Sequence, residues 1–438
     1  MNSKFTGVLS ILFLSAALVA CKKDHQDQVQ KSYNVQLLSQ KTLGGKSDDH
    51  IIAMTSASDG GYLLAGLSNY DGSSSTYRGD AWIVKLNSNG DTLWTRTMGG
   101  AGYDAAFAVA GTTDGGFVLA CGTSSNNSGD VGANHGGSDW WIVKLKSNGD
   151  TAWTRLIGST AGEYPTSIAA TYDGGFIVCG YIIGLSGNID LLIAKLNSSG
   201  NVVWQKQMGG TGEEYGNDVT VAGDGTILVA AATTSNNNGD VGVNHGMKDY
   251  WIIKLSANGD KIWSKLLGGS QDDWASSIKS TPDGGCIIAG ASSSSESGNV
   301  TGKNHGLSDM WVVKLNAVGD IMWNSLLGGA MNDTNEGSAT IAITPESDYV
   351  IGGYSNSTDG DVGANQGGND FWALKLNSTG QKLWAKTFGG SGNDITAALL
   401  LNADGSFWLA GFTESNNSGN VGATHGMGDG WIIKIKDN

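Results

Sequence analysis

Seven acidic residues recur at one place in this chain. Four residues after a Gly-Gly pair, or its Gly-Ser equivalent, stand Asp49, Asp104, Glu163, Glu214, Asp273, Asp333 and Asp394. Clustered like charges focus an electric field, so a ring of such carboxylates could draw in a cation or hold a polar ligand. A carboxylate in a turn can also accept backbone N–H bonds from its own loop. Repetition in every copy points to the structural use, because a reaction site ordinarily breaks symmetry.

A second pattern is the loop Asn126-Asn-Ser-Gly-Asp130-Val-Gly-Ala-Asn134-His135-Gly-Gly-Ser-Asp139. It recurs as Asp240/Asn244/His245/Asp249, Asn299/Asn304/His305/Asp309, Asp361/Asn365/Gln366/Asp370 and Asn420/Thr424/His425/Asp429. Two further copies keep only Asp80 and Asp190 at the closing position. Asp and Asn separated by glycine offer hard oxygen ligands, so Ca²⁺ is the cofactor these loops could take. The spacing does not match an EF-hand, and Asx-turns account for the same residues. No metal ligand is assigned on this pattern. Histidine as a transition-metal ligand is weaker still, since Gln366 replaces it in one copy.

The third feature is aromatic. Trp274 directly follows Asp273, and Tyr164 and Tyr215 take the same slot after Glu163 and Glu214. Aromatic side chains beside carboxylates are what a glycan site uses. Most tryptophans recur in register instead and read as core, leaving Trp140, Trp274 and Trp408 outside the pattern. No catalytic residue is assigned: Gly-x-Ser-x-Gly, His-Glu-x-x-His and the P-loop are all absent.

These residues are positioned by a repeat. The strand Asp-x-Trp-x-x-Lys-Leu occurs around Trp82, Trp141, Leu192, Trp251, Trp311, Trp372 and Trp431, at spacings of 59, 51, 59, 60, 61 and 59 residues. Each copy divides into four short strands, illustrated by Asp104–Ala110, Phe117–Gly122, Trp141–Leu145 and Ala152–Gly158. Asp-Gly and Asn-Gly dipeptides separate them, as tight β-turns require. The last copy stops after its third strand, and the missing fourth strand stands at the other end as Leu38–Gly44, in register with Leu93–Gly99. The expectation is an all-β, seven-bladed β-propeller of four-stranded blades, closed by an N-terminal strand that completes the last blade. Strand alternation puts the short turns on one face and the long loops, with the three features above, on the other.

The chain opens with Lys4 and an apolar run from Phe5 to Ala20, too short for a membrane span and suited to a secretory signal. Its end, Leu18-Val19-Ala20-Cys21, resembles the bacterial lipobox. That resemblance implies cleavage before Cys21 and a lipid anchor on its thiol, with 1–20 removed, 21–32 as a flexible tether and 33–438 as the propeller. Lys22, rather than an aspartate, implies an exported, outer-membrane lipoprotein.

Residues 33–438 also resemble a repeat abundant in secreted and surface proteins of Bacteroidota. Its consensus runs Gly-Gly-x-x-x-Asp, Asp-Gly-Gly-Tyr, Ala-Gly-x-Ser, Asp-x-Trp-x-x-Lys-Leu and Gly-Asp-x-x-Trp. This implies fold and lineage and little about function.

Composition sets the remaining bounds. A formal charge of −15 with no basic stripe argues against nucleic acid. Cys121, Cys179 and Cys286 occupy apolar strand positions and read as small buried hydrophobes. The expected function is a monomeric, membrane-anchored binding module for glycan or protein, using the long-loop face. A polysaccharide-active enzyme using the seven carboxylates and a structural envelope scaffold are the alternatives.

Overall fold

The computed structural model describes Met1 and residues 33–70, 79–334 and 338–438. The expected signal peptide, Cys21 and the tether lie outside the described residues. Asn34–Asn438 makes up one unit and Met1–Tyr33 another.

The larger unit contains seven four-stranded antiparallel sheets, and the described residues include no α-helix. The inner strands of blades one to seven are Asp48–Ser56, Asp104–Gly111, Gly162–Ala170, Glu214–Val221, Asp273–Ser280, Thr340–Ile343 and Asp394–Leu401. Six sheets follow chain order from inner to outer strand. The seventh takes its outer strand from the N-terminus, where Val35–Leu43 pairs with Asp429–Asp437. The Trp431 indole N–H donates to Gln40 Oε1 at 3.2 Å, as Trp82 donates to Thr95 Oγ1 at 2.9 Å in blade one. The seven-bladed propeller and its N-terminal closure therefore stand as read from the repeats.

The repeat motif explains itself in this frame. The motif lysines turn back to the Asp-Gly-Gly turn of their own blade: Lys85 Nζ lies 2.8 Å from Asp59, and Lys314 Nζ 2.8 Å from Asp283. Their stems are buried while the aspartates stay in solvent, so each lysine ties the inner hairpin to the third strand. The third-strand tryptophans fill the spaces between blades, with Trp141, Trp251, Trp311, Trp372 and Trp431 fully buried. Fully burying an aliphatic or aromatic side chain contributes roughly 1.5–3 kcal/mol, so each of these tryptophans strengthens the packing between blades. Outer-strand tryptophans reach the next blade: a Cβ on Gly149, at φ +88°, would lie 2.8 Å from the Trp94 ring. Only glycine suits that turn and that approach together.

Blade six departs from the others. Its inner strand is Thr340–Ile343, four residues long, and begins seven residues after Asp333. In other blades the acid sits at or next to the strand start.

Candidate functional site

The seven carboxylates come together with the loops, and they are withdrawn from solvent. Asp104, Glu214, Asp273, Asp333 and Asp394 are fully buried, while Asp49 and Glu163 are 4% and 2% exposed. In blade five, Asp273 Oδ2 accepts the Gly269 amide at 2.7 Å and the Ser294 hydroxyl at 2.9 Å, and Oδ1 accepts Ser292. Blade two repeats this with Gly100, Ser125 and Thr123 on Asp104, and blade seven with Gly390, Ser415 and Thr413 on Asp394. Asp49 accepts the Gly45 amide at 2.6 Å, Glu214 the Gly210 amide at 2.9 Å, and Asp333 the Gly329 amide. Glu163 is held by the Ser159 amide and hydroxyl. Each acid thus clamps the Gly-Gly turn that precedes it. The open ring of charge read as one use of these residues is corrected here: their oxygens are filled by protein donors. A hydrolytic role that depends on them has no solvent-facing acid to draw on.

A second acid lies close to these, buried as Asp139, Asp249, Asp309, Asp370 and Asp429 and half-buried as Asp80 and Asp190. A Cβ on Gly99 would lie 2.7 Å from both Asp80 Oδ1 and Asp104 Oδ2, and Gly268 has Asp249 and Asp273 on it in the same way. This close approach is why the first glycine of the pair bears no side chain. Burial, with Asp249 nearby, raises Asp273 to about 6 against the hydrogen bonds that oppose it. Burial and then Asp394 raise Asp370 to about 7. In four blades a histidine answers this charge, with His135, His245, His305 and His425 Nδ1 at 2.6–2.9 Å from Asp139, Asp249, Asp309 and Asp429. Gln366 offers Asp370 only its backbone amide, at 2.7 Å.

The long-loop acids and amides are used locally. Asn134 Oδ1 accepts the Gly136 amide at 2.8 Å, an Asx-turn, and Asn244, Asn304 and Asn365 do the same with Gly246, Gly306 and Gly367. Asp130 Oδ2 lies 3.3 Å from the Gly99 amide and Asn420 Oδ1 3.3 Å from that of Gly389. Among the described residues, no three His, Cys, Asp or Glu side chains stand together as a metal site.

The aromatic residues do assemble. Tyr164 stacks on Tyr181 with ring centroids 5.2 Å apart, Tyr181 meets Tyr215 edge-on at 5.2 Å, and Tyr215 meets Trp274 at 5.1 Å. Lys248 places its ammonium 4.3 Å from the Trp274 ring and 5.2 Å from Tyr215, a cation–π arrangement across the end of the run. Trp274 is 9% exposed, and the three tyrosines are half-buried. The arc spans blades three, four and five, at the long-loop end of their inner hairpins. Tyr181 and Lys248 were not singled out from the sequence. In the aligned second strands Gly122, Ala232 and Ala291 hold the place of Tyr181 in blades two, four and five, while Tyr354 and Phe412 hold it in blades six and seven, so only the contacts of blade three with blade four pick it out.

The other two tryptophans outside the register are core. Trp140 is fully buried between blades two and three, and Trp408 is 2% exposed against Tyr62 and the blade-one turn.

The inner strands enclose an axial cavity of about 750 Å³. Its lining belongs to the half of each strand nearer the short turns, so it is separate from the aromatic arc.

Comparison with known proteins gives distant similarities. The chain is 22% identical over 392 residues to the regulatory protein FlaEY of Caulobacter vibrioides, a match covering 79% of this chain and 40% of that protein's length. Among solved structures, BamB from Moraxella catarrhalis is 15% identical, with 92% of this chain and 100% of that one covered at a TM-score of 0.42. A protein of unknown function from Bacteroides caccae is 15% identical, covering 75% of this chain and 93% of that one at a TM-score of 0.43. Another from Dyadobacter fermentans is 9% identical, covering 92% and 99% at a TM-score of 0.48. No protein-family model matches the chain. The fold assignment rests on the strand pairing itself, and these likenesses add nothing to it about ligand or activity.

Proposed function

We propose that this chain is a binding module that seats a protein partner on the long-loop face of blades three to five. The observation that carries the reading is the Tyr164–Tyr181–Tyr215–Trp274 arc with Lys248 at its end. Folding does not require it, because blade two holds Ala105 and Gly122 in the same slots. Tyrosine, tryptophan and methionine are the residues enriched where proteins meet. In the loops of blades four and five, Met247, Leu307 and Met331 are also exposed, at 57%, 60% and 46%. Exposed apolar side chains in the loops of the face that carries the rings are what an interaction surface offers. A glycan would use the rings as a stacking platform and gain nothing from the exposed aliphatic groups, which is why a protein surface is preferred.

In this reading Cys21 carries the lipid that holds the propeller at the outer membrane, residues 22–32 supply reach, and the propeller acts as a monomer. The repeat consensus shared with secreted and surface proteins of Bacteroidota supports an exported setting.

Cross-linking capture from an envelope extract, run beside a glycan array, tests the proposal. The wild type should retain a protein that the Tyr215→Ala/Trp274→Ala double variant loses, with melting unchanged. Array binding lost in that variant would make the ligand a glycan. Equal capture by both proteins would remove the arc from the binding surface.

A further inference from the structure

We infer that the axial cavity is a second binding site, built for a small amphipathic carboxylate. Its volume of about 750 Å³ falls within the roughly 300–1,000 Å³ of small-molecule sites. Sevenfold repetition would line it evenly, and it does not. Blades three to five contribute Ser167, Asn217, Asp218, Ser276, Ser277 and Lys279. The facing blades contribute mainly apolar groups, among them Met54, Phe107, Ile341 and Leu400.

The polar wall is organised around Asp218. Its Oδ1 accepts the Ser167 hydroxyl at 2.7 Å and the Val219 amide at 2.9 Å. Its Oδ2 accepts the Ser277 hydroxyl at 3.0 Å, the Ile278 amide at 2.9 Å and Lys279 Nζ at 3.2 Å. Five donors fill this carboxylate, so it has no capacity left for a ligand. An ammonium has three N–H donors, and Lys279, with its side chain 39% exposed, directs one of them at Asp218. Lys279 is the only cation among the described residues lining the cavity. On this wall the capacity left for a ligand is therefore that of a donor, the Lys279 ammonium, while the hydroxyl residues of the facing blades are Thr55 and Thr340.

A ligand that satisfies both walls brings an anionic oxygen group to Lys279 and lays an apolar body against Phe107, Met54 and Leu400. A sugar would leave hydroxyls unpaired against the apolar wall, which is unfavourable. This site stands apart from the aromatic arc and does not depend on its reading.

Calorimetric titration of the full chain with octanoate, octanol and glucose tests the inference. Octanoate should bind at least about tenfold more tightly than octanol, as expected for a hydrogen bond to a charged group, and glucose should not bind. Lys279→Met should remove that preference, Lys279→Arg should retain it, and Phe107→Ser should weaken octanoate and octanol alike. Trp274→Ala should change none of these values. Octanol binding as tightly as octanoate, Lys279→Met retaining full octanoate affinity, or no octanoate binding by the wild type would each overturn it.

Discussion

Trp408 lies over Gly90: a Cβ on that glycine would come within 2.7 Å of the indole ring. Elsewhere the outer-strand tryptophan of the preceding blade covers this turn, as Trp94 covers Gly149 and Trp153 covers Gly200. The outer strand of blade seven is the N-terminal one, and Ser39 stands where that tryptophan would be, paired with Lys434 as Trp94 is with Lys85. A residue from the second strand of blade seven has taken over the contact, so it ties the C-terminal part of that blade to blade one across the seam that the N-terminal strand closes by pairing alone.

Trp408→Ala should therefore weaken ring closure. Removing a buried tryptophan costs about 3–5 kcal/mol in a well-packed site. Denaturant unfolding followed by tryptophan fluorescence measures it, and a loss under about 1 kcal/mol would contradict the role.

Stability should rise on mild acidification. Asp370 and Asp273 have pKa values raised by burial to about 7 and about 6, from 3.8 in the open chain. Between about pH 4 and 7 the native state holds protons that the unfolded chain has released, so stability falls as pH rises through that window. The wild type should melt higher at pH 5 than at pH 7.5. Asp370→Asn should raise melting at pH 7.5 by about 1–3 °C and flatten the dependence. A wild type that melts lower at pH 5, with an unchanged slope in the variant, would exclude this account.

Chelation should leave the fold untouched. Asn134, Asn244, Asn304 and Asn365 hold backbone amides in Asx-turns, and the buried acids clamp glycine amides. Thermal melts with EDTA and with Ca²⁺ should agree within about 1 °C, since only a ligand of the native state shifts the midpoint. A rise of several degrees with Ca²⁺ would return the loops to the status of metal sites.

The three propeller thiols should be silent. Cys121, Cys179 and Cys286 are buried, and burial pushes all three upward, Cys286 to about 12. A thiol reagent should label none of them in the native protein and all three in denaturant. Fast labelling of the folded chain at any of them would show local opening.

Trp274→Ala should cost a partner about 2 kcal/mol or more of affinity if the arc is the centre of the interface. Lys248→Ala probes the cation across its end. Surface plasmon resonance with the captured partner reads both, and affinity unchanged in the two variants would move the interface elsewhere on the face.

Much of this architecture was legible in the chain. Seven copies of the Asp-x-Trp-x-x-Lys-Leu strand, six with tryptophan and one with Leu192, and a displaced fourth strand define blade number, strand order and closure, because strand period and turn dipeptides are local properties. The identity of Tyr164, Tyr215 and Trp274 as an asymmetry was also readable from their shared slot. What the sequence could not decide was what each repeated group faces. The acids at Asp49 through Asp394 read as an open ring or as turn clamps, with repetition in favour of the clamps, and only the close packing of the loops, with serine and threonine hydroxyls brought from the neighbouring strand, puts them out of solvent. Tyr181 and Lys248 joined the arc, and Asp218 met Lys279 across 61 positions of sequence, because adjacent blades bring distant residues together. Local chemistry is written along the chain; contact between blades depends on how the whole ring is packed.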